Sequence, residues 1–196
     1  MIEMIRALLD NLAVSFDLPI LDWIAANLWC PLLDTVMPII TLFGDAGIFW
    51  IALPVLFMVT KKYRRTGSGM MLALMMGLLL CNIWLKPTVA RIRPYDFQME
   101  YFSKEIQLLA GGMHDFSFPS GHTIASFEAA VVIVLNNKKL GIPAMILAVL
   151  IAFSRLYLYL HYPTDVIFSV ILGSALAFLG NFLAQKVMNK LPEKLK

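Results

Sequence analysis

The chain has 196 residues, 60% of them hydrophobic and 15% charged, with a net charge of +3. A soluble domain carries roughly 25% charged residues, so this composition and a mean hydropathy of +0.76 exclude an ordinary soluble globule and point to an integral membrane protein. The balance of charge gives no footing for a nucleic-acid partner. Cys30 and Cys81 both sit in apolar blocks, with neither disulfide nor metal spacing.

The first residues, "MIEMIRALLDNLAVSF", mix Glu3, Arg6 and Asp10 into the apolar positions, unlike the core of a signal peptide. Ile2, Ile5, Leu9, Leu12 and Phe16 recur at helical spacing. Residues 1–18 therefore read either as an amphipathic helix at the interface or as an ordinary frayed terminus. A less regular block over about 20–43, with Asp22, Asp34, Pro31 and Pro38, is a kinked or partly interfacial span. Clear apolar blocks follow at about 46–60, 68–86, 121–135, 141–160 and 164–187. Each approaches the roughly 20 residues that cross a bilayer as helix, and helix is the form that pairs its backbone in lipid. The expectation is an all-α polytopic bundle of about six helices, a single integral-membrane domain over residues 1–196, with 87–120 as an outer-face loop.

"KKYRR" (61–65), "NNKK" (136–139) and the tail "KVMNKLPEKLK" (186–196) alternate with the other connections as cytoplasmic loops do. With Arg6 placed inside as well, five of the sixteen Lys and Arg remain for the opposite face: Lys86, Arg91, Arg93, Lys104 and Arg155. Positive-inside topology alone calls for few cations there.

Three stretches meet on that face: "KPTVARIRP" (86–94), "FPSGH" (118–122) and "SRLYLYLHYPTD" (154–165). Short connections bring such stretches to one end of a bundle. Lys86, Arg93 and Arg155 supply fixed positive charge, two of them as forked guanidiniums suited to phosphate oxygens. Ser120 and Gly121 lead into a helix whose free N–H groups form an anion site. His161 and Asp165 are four residues apart, so the carboxylate can fix the imidazole tautomer and leave one nitrogen free to attack phosphorus. His122 is then placed to protonate the leaving oxygen and to activate the water that completes the reaction. No metal is required, because the cations stabilise the charge, and no carboxylate cluster has metal-ligand spacing.

Lys86…Arg93-Pro94, then Pro119-Ser120-Gly121-His122, then Ser154-Arg155…His161…Asp165 resembles the three-part signature of the type 2 phosphatidic acid phosphatase (PAP2) superfamily, the lipid phosphate phosphatases. No signature position departs from the pattern. The resemblance implies a PAP2-like helical core, with His161 as nucleophile, Asp165 orienting it and His122 as acid and base. It implies that Lys86, Arg93, Ser120, Gly121 and Arg155 hold phosphate, with no cofactor. The expected partners are a lipid phosphate or diphosphate and membrane lipids, with undecaprenyl diphosphate as the first choice of substrate. Phosphatidylglycerol phosphate, phosphatidic acid and a lipid A phosphate are the rivals. The site is expected on the outer side of the cytoplasmic membrane, and the oligomeric state is left open.

Other residues invite plainer readings. Arg91 and Lys104 lie between motifs and read as surface or headgroup contacts, and His114 as structural. Glu128, six residues past His122 and about 9 Å deeper by helical rise, is either a functional group or a hydrogen-bonded bundle residue. Asn82 orients Lys86 or makes a helix contact. The apolar segment 95–118 holds a short interfacial helix beside the site or simply packs on the bundle. The competing function is anion transport through a cation-lined vestibule, against which no repeat or broken-helix pair marks a midplane site. A non-catalytic lipid-binding scaffold would be expected to lack one of the two histidines.

Overall fold

The computed structural model of the chain describes residues 2–190. Met1, residues 191–196 (the end of the basic tail) and the Ile2 side chain of the amphipathic stripe lie outside the described residues. Every regular element among the described residues is helical. α1 (Ile2–Leu12), a π-helical turn (Ala13–Asp17) and α2 (Leu18–Leu28) run as one helix. It ends at Trp29 and Cys30, both extended, because the residue before a proline is pushed out of the helical region. Pro31 then opens α3 (Pro31–Leu42) from a position where its missing N–H costs nothing.

A turn with Ala46 and Gly47 at positive φ separates α3 from α4 (Ile48–Val59). α5 (Arg64–Gly77), a π-helical run (Leu78–Leu85) and α6 (Lys86–Val89) are again continuous. The short α7 (Pro94–Phe102) lies in the long connection that follows, and then come α8 (Gly121–Asn136), α9 (Lys138–Tyr157) and α10 (Pro163–Lys190). Asn137 caps α9 by accepting from the Leu140 N–H at 3.2 Å. Pro163 opens α10.

Four stretches are long and apolar enough to cross a membrane: Pro31–Val59, Lys61–Phe102, Lys138–Tyr157 and Pro163–Lys190. α8, at 16 residues, is shorter, but it is buried along most of its length between α5, α9 and α10. Trp50, Met70, Leu74, Phe127, Val132, Ile151 and Ala177 make the main core around it. Outward-facing residues such as Val55, Leu79, Ile146, Ile171 and Phe182 are exposed, as lipid-facing positions of a bundle must be. The expected all-α transmembrane bundle is therefore the observed fold.

Two placements go beyond the sequence reading, the first by resolving the kinked block and the second by departing from it. The first apolar block is split between the end of one helix and α3, which lies across the end of α9: Trp29 donates to Tyr157 O at 3.0 Å and Thr41 accepts from Arg155 at 2.6 Å. Arg6, expected among the cytoplasmic cations, donates instead to Val89 O at 2.8 Å and Thr88 O at 3.3 Å. It binds the open carbonyls at the end of α6, at the same end of the bundle as the three motifs. Of the expected stripe, Ile5 and Phe16 are exposed while Leu9 is buried. The π-helical turn brings Ala13, Asp17, Leu18 and Leu21 inward instead.

Candidate active site

The connection from α9 to α10 carries His161, which is buried. One face of its ring meets a carboxylate network. Nδ1 lies 3.4 Å from Ser117 Oγ and 3.5 Å from Asp165 Oδ2, and Ser117 donates to the same Asp165 oxygen at 2.5 Å. The direct contact with Asp165 is thus looser than the four-residue spacing suggests, and Ser117 bridges it. The other nitrogen, Nε2, lies 3.3 Å from Arg93 Nη1. Burial, reinforced by Arg93, Arg155 and Lys86, holds the His161 imidazole well below its ordinary range. Its Nε2 faces the Arg93 guanidinium and its Nδ1 faces Ser117 and Asp165.

Asp165 is fixed from several sides. It accepts from Arg91 Nη1 at 2.5 Å and from the Tyr162 N–H at 3.1 Å. Arg91, 3% exposed, is no headgroup contact. Its other fork arm pairs with Asp17 at 2.7 Å, and its guanidinium lies 3.7 Å from the centre of the Tyr162 ring. Asp17 in turn accepts from the Thr164 N–H at 2.9 Å. The first helix, the 86–94 motif and the start of α10 are therefore held by one buried charge network. The sequence reading missed Arg91 and Asp17. The helical spacing gave no signal for Asp17, which falls off the apolar stripe and is turned inward by the π-helical turn.

Across the cavity His122 sits in the first turn of α8, with Nε2 2.7 Å from Asp45 Oδ1. Gly44 permits this closeness, because a side chain there would place its Cβ 2.5 Å from the His122 ring. Ser120, extended and buried, leads into the helix and donates its N–H to Ser169 at 2.9 Å. Lys86 forms an ion pair with Asp115, and Arg93 pairs with the other oxygen of the same carboxylate at 2.5 Å. Burial opposes the charged form of Asp115, but the hydrogen bond and charge of Lys86 and the charge of Arg93 hold its pKa at about 2. Arg155 bonds Thr41 at 2.6 Å and reaches the Met113 sulfur at 2.9 Å.

A cavity of about 320 Å³ is lined by Lys86, Arg93, Asp115, Gly121, His122 and His161. It continues past Asn82 and Leu78 to Ile51, Met75, Gly77 and Glu128. Ser120, Arg155 and Asp165 stand in the wall behind it rather than on its surface. Every sequence-predicted site residue thus lies at or just behind one cavity, joined by Arg91, Ser117, Asp45 and Asp115, which the motifs did not mark. Asn82 packs against Gly121. Lys104 is on the surface, paired with Asp22 at 2.8 Å, and His114 is exposed.

Comparison with known proteins gives the same picture. An undecaprenyl-diphosphatase of Sulfolobus acidocaldarius is 32% identical over 132 residues, 67% of this chain and 61% of that protein. Phosphatidylglycerophosphatase B of Bacillus subtilis is 31% identical over 166 residues, 78% of this chain and 69% of its own. The crystal structure of a transmembrane PAP2-type phosphatidylglycerolphosphate phosphatase from Bacillus subtilis superposes with a TM-score of 0.73 at 28% identity, covering 95% of this chain and 93% of that one. Residues 67–188 match the PAP2 superfamily, and that span contains all three motifs, so the chain belongs to the PAP2 superfamily.

Proposed function

We propose that the chain is a lipid phosphate phosphatase that removes a terminal phosphate through a phosphohistidine at His161. The observation that carries this reading is the pair of buried histidines facing one cavity beside Lys86 and Arg93, each histidine backed by a carboxylate. Phosphate oxygens bind Lys86 and Arg93, which exchange their bonds to Asp115 for bonds to substrate, and Arg155 adds positive charge from behind Met113. The first-turn N–H groups of α8 point to the same space.

His161 Nε2 attacks phosphorus as the bond to the leaving oxygen breaks, while Nδ1–H is held by Ser117 and Asp165. His122, as an imidazolium paired with Asp45, gives one proton to the leaving lipid oxygen and becomes the neutral imidazole. It then takes a proton from water as that water attacks the phosphohistidine, which releases inorganic phosphate and restores His161. Lys86 and the guanidiniums stabilise the charge on the equatorial oxygens throughout.

The exposed apolar residues Ile51, Met75 and Leu78 at the cavity's edge support a lipid substrate, whose headgroup reaches the cations while its chains stay among the helices. The names of the relatives support undecaprenyl diphosphate as the first substrate to test, with phosphatidylglycerol phosphate beside it. We place the site on the outer side of the cytoplasmic membrane, because the basic connections 61–65 and 136–139 lie at the opposite end of the bundle.

The test is phosphate release by the purified protein from undecaprenyl diphosphate, phosphatidylglycerol phosphate, phosphatidic acid and a lipid A donor, with EDTA present. Activity that survives EDTA and is inhibited by orthovanadate is expected. His161→Ala should abolish release, and substantial turnover by that variant would sink the mechanism.

A further inference from the structure

The deep end of the cavity holds a group that the proposed phosphate chemistry does not use. Glu128 lies on α8 about 9 Å below His122 by helical rise. It is 1% exposed, and its Oε1 has no hydrogen-bond partner. Buried polar groups are nearly always paired, so an unpaired carboxyl oxygen on a cavity wall marks a place where a ligand atom belongs.

The wall is shaped around this carboxyl. A Cβ at Gly77 would fall 2.1 Å from Glu128 Oε1 and 2.5 Å from Oε2, so the glycine leaves room for the carboxyl where it stands. Gly77 lies where α5 passes into the π-helical run, and both residues line the cavity together with Ile51, Met75 and Leu78. The surroundings are otherwise apolar, which makes this the polar point of the groove below the cations.

We propose that Glu128 is a specificity residue that hydrogen-bonds an acyl-ester carbonyl of the substrate. The assignment rests on the lipid phosphatase reading above and adds the chemistry of the lipid to it. In its acid form a carboxyl donates one hydrogen bond, and an ester carbonyl accepts one. When the phosphate of an acylated glycerol phosphate sits between Lys86 and His161, its ester groups lie about one glycerol unit further along the groove, toward Glu128. A polyprenyl chain carries only hydrocarbon at that depth and leaves Glu128 as it is in the free protein. The two substrate classes therefore differ in their dependence on this residue.

The test measures kcat and KM of the purified full-length protein in mixed micelles. Three substrates are compared: a diacyl phosphatidic acid, its ether-linked analogue and undecaprenyl diphosphate. The enzymes are the parent chain, Glu128→Gln and Glu128→Leu. One hydrogen bond corresponds to roughly a tenfold change in kcat/KM. That loss is expected for Glu128→Leu on the diacyl substrate and for the parent chain when the ester is exchanged for the ether. Glu128→Gln, which keeps a donor, should retain most of the activity. Glu128→Leu should lose nothing further on the ether or on undecaprenyl diphosphate.

Equal losses on all three substrates would overturn the assignment, and so would a parent chain indifferent to ester or ether. That last comparison needs no variant, so a folding defect in Glu128→Leu cannot obscure it. Absence of phosphate release from every lipid would instead overturn the phosphatase reading on which the assignment rests.

Discussion

Asp115 occupies the two cations that the proposed reaction needs. Its carboxylate, 47% exposed, bridges Lys86 and Arg93, so an incoming phosphate must displace one anion in order to bind. Asp115 is the exposed member of the pairs, Lys86 and Arg93 being 14% and 1% exposed. With one side open to solvent, each pair is taken near the surface range of about 0.2–1 kcal/mol, small enough to yield to a doubly charged phosphate. Its pKa of about 2 keeps the carboxylate ionised throughout the physiological range, so the competition does not relax with modest acidification. Asp115→Asn should therefore lower the inhibition constant for orthovanadate by roughly two- to fivefold at pH 7. An unchanged or higher constant would mean that Asp115 assists the anion rather than competing with it. Residues of this kind were hidden from sequence reading because their partners are distant in the chain. The Lys86–Asp115 pair spans 29 positions and the His122–Asp45 pair spans 77. The motif residues were legible because phosphate chemistry needs particular side chains at short, fixed spacings.

At the level of elements, the network of Asp17, Arg91 and Asp165 ties the first helix to α10 through the segment after α6. Removing one partner of a buried ion pair leaves an uncompensated charge and costs about 3–5 kcal/mol. Arg91→Leu strands two carboxylates at once. It should lower the melting temperature markedly and abolish phosphate release, and an unchanged melting temperature would show that the bridge does not hold these helices. The blocks that became α4, α5, α8, α9 and α10 were plain from hydropathy, since each is a nearly unbroken apolar run. The first helix was not. Its π-helical turn changes which residues face inward, and a periodicity of 3.6 places Phe16 on the inner face, whereas the backbone leaves it exposed and turns Ala13 and Asp17 inward.

For the whole molecule, the motifs gather at one end of the bundle and the basic loops at the other, with Arg6 the exception now placed at the site end. Single cysteines at Lys62→Cys and Lys104→Cys, in a background with Cys30 and Cys81 replaced by serine, test the proposed orientation. A membrane-impermeant thiol reagent should label position 104 in intact cells and position 62 only after permeabilisation. The reverse pattern would put the site on the cytoplasmic side. That the chain is a membrane protein was readable from composition, and its all-α bundle from the run of apolar blocks. The deep end of the cavity was not, because it depends on Gly77 leaving room for Glu128 across two helices that are far apart in sequence.

The joining of Asp17, Arg91 and Asp165 also bears on how the chain is made. Arg91 stands 74 positions from Asp17 on one side and 74 from Asp165 on the other, and the proposed nucleophile His161 lies in the connection between α9 and α10. Before α10 is in place, Asp17 is the one carboxylate of the pair that Arg91 can meet, and the proposed hydrolytic centre lacks Asp165. On the proposed mechanism, a protein whose α10 is not yet in place holds a neutralised arginine but lacks the carboxylate that orients His161, so phosphate release begins only once α10 is in place.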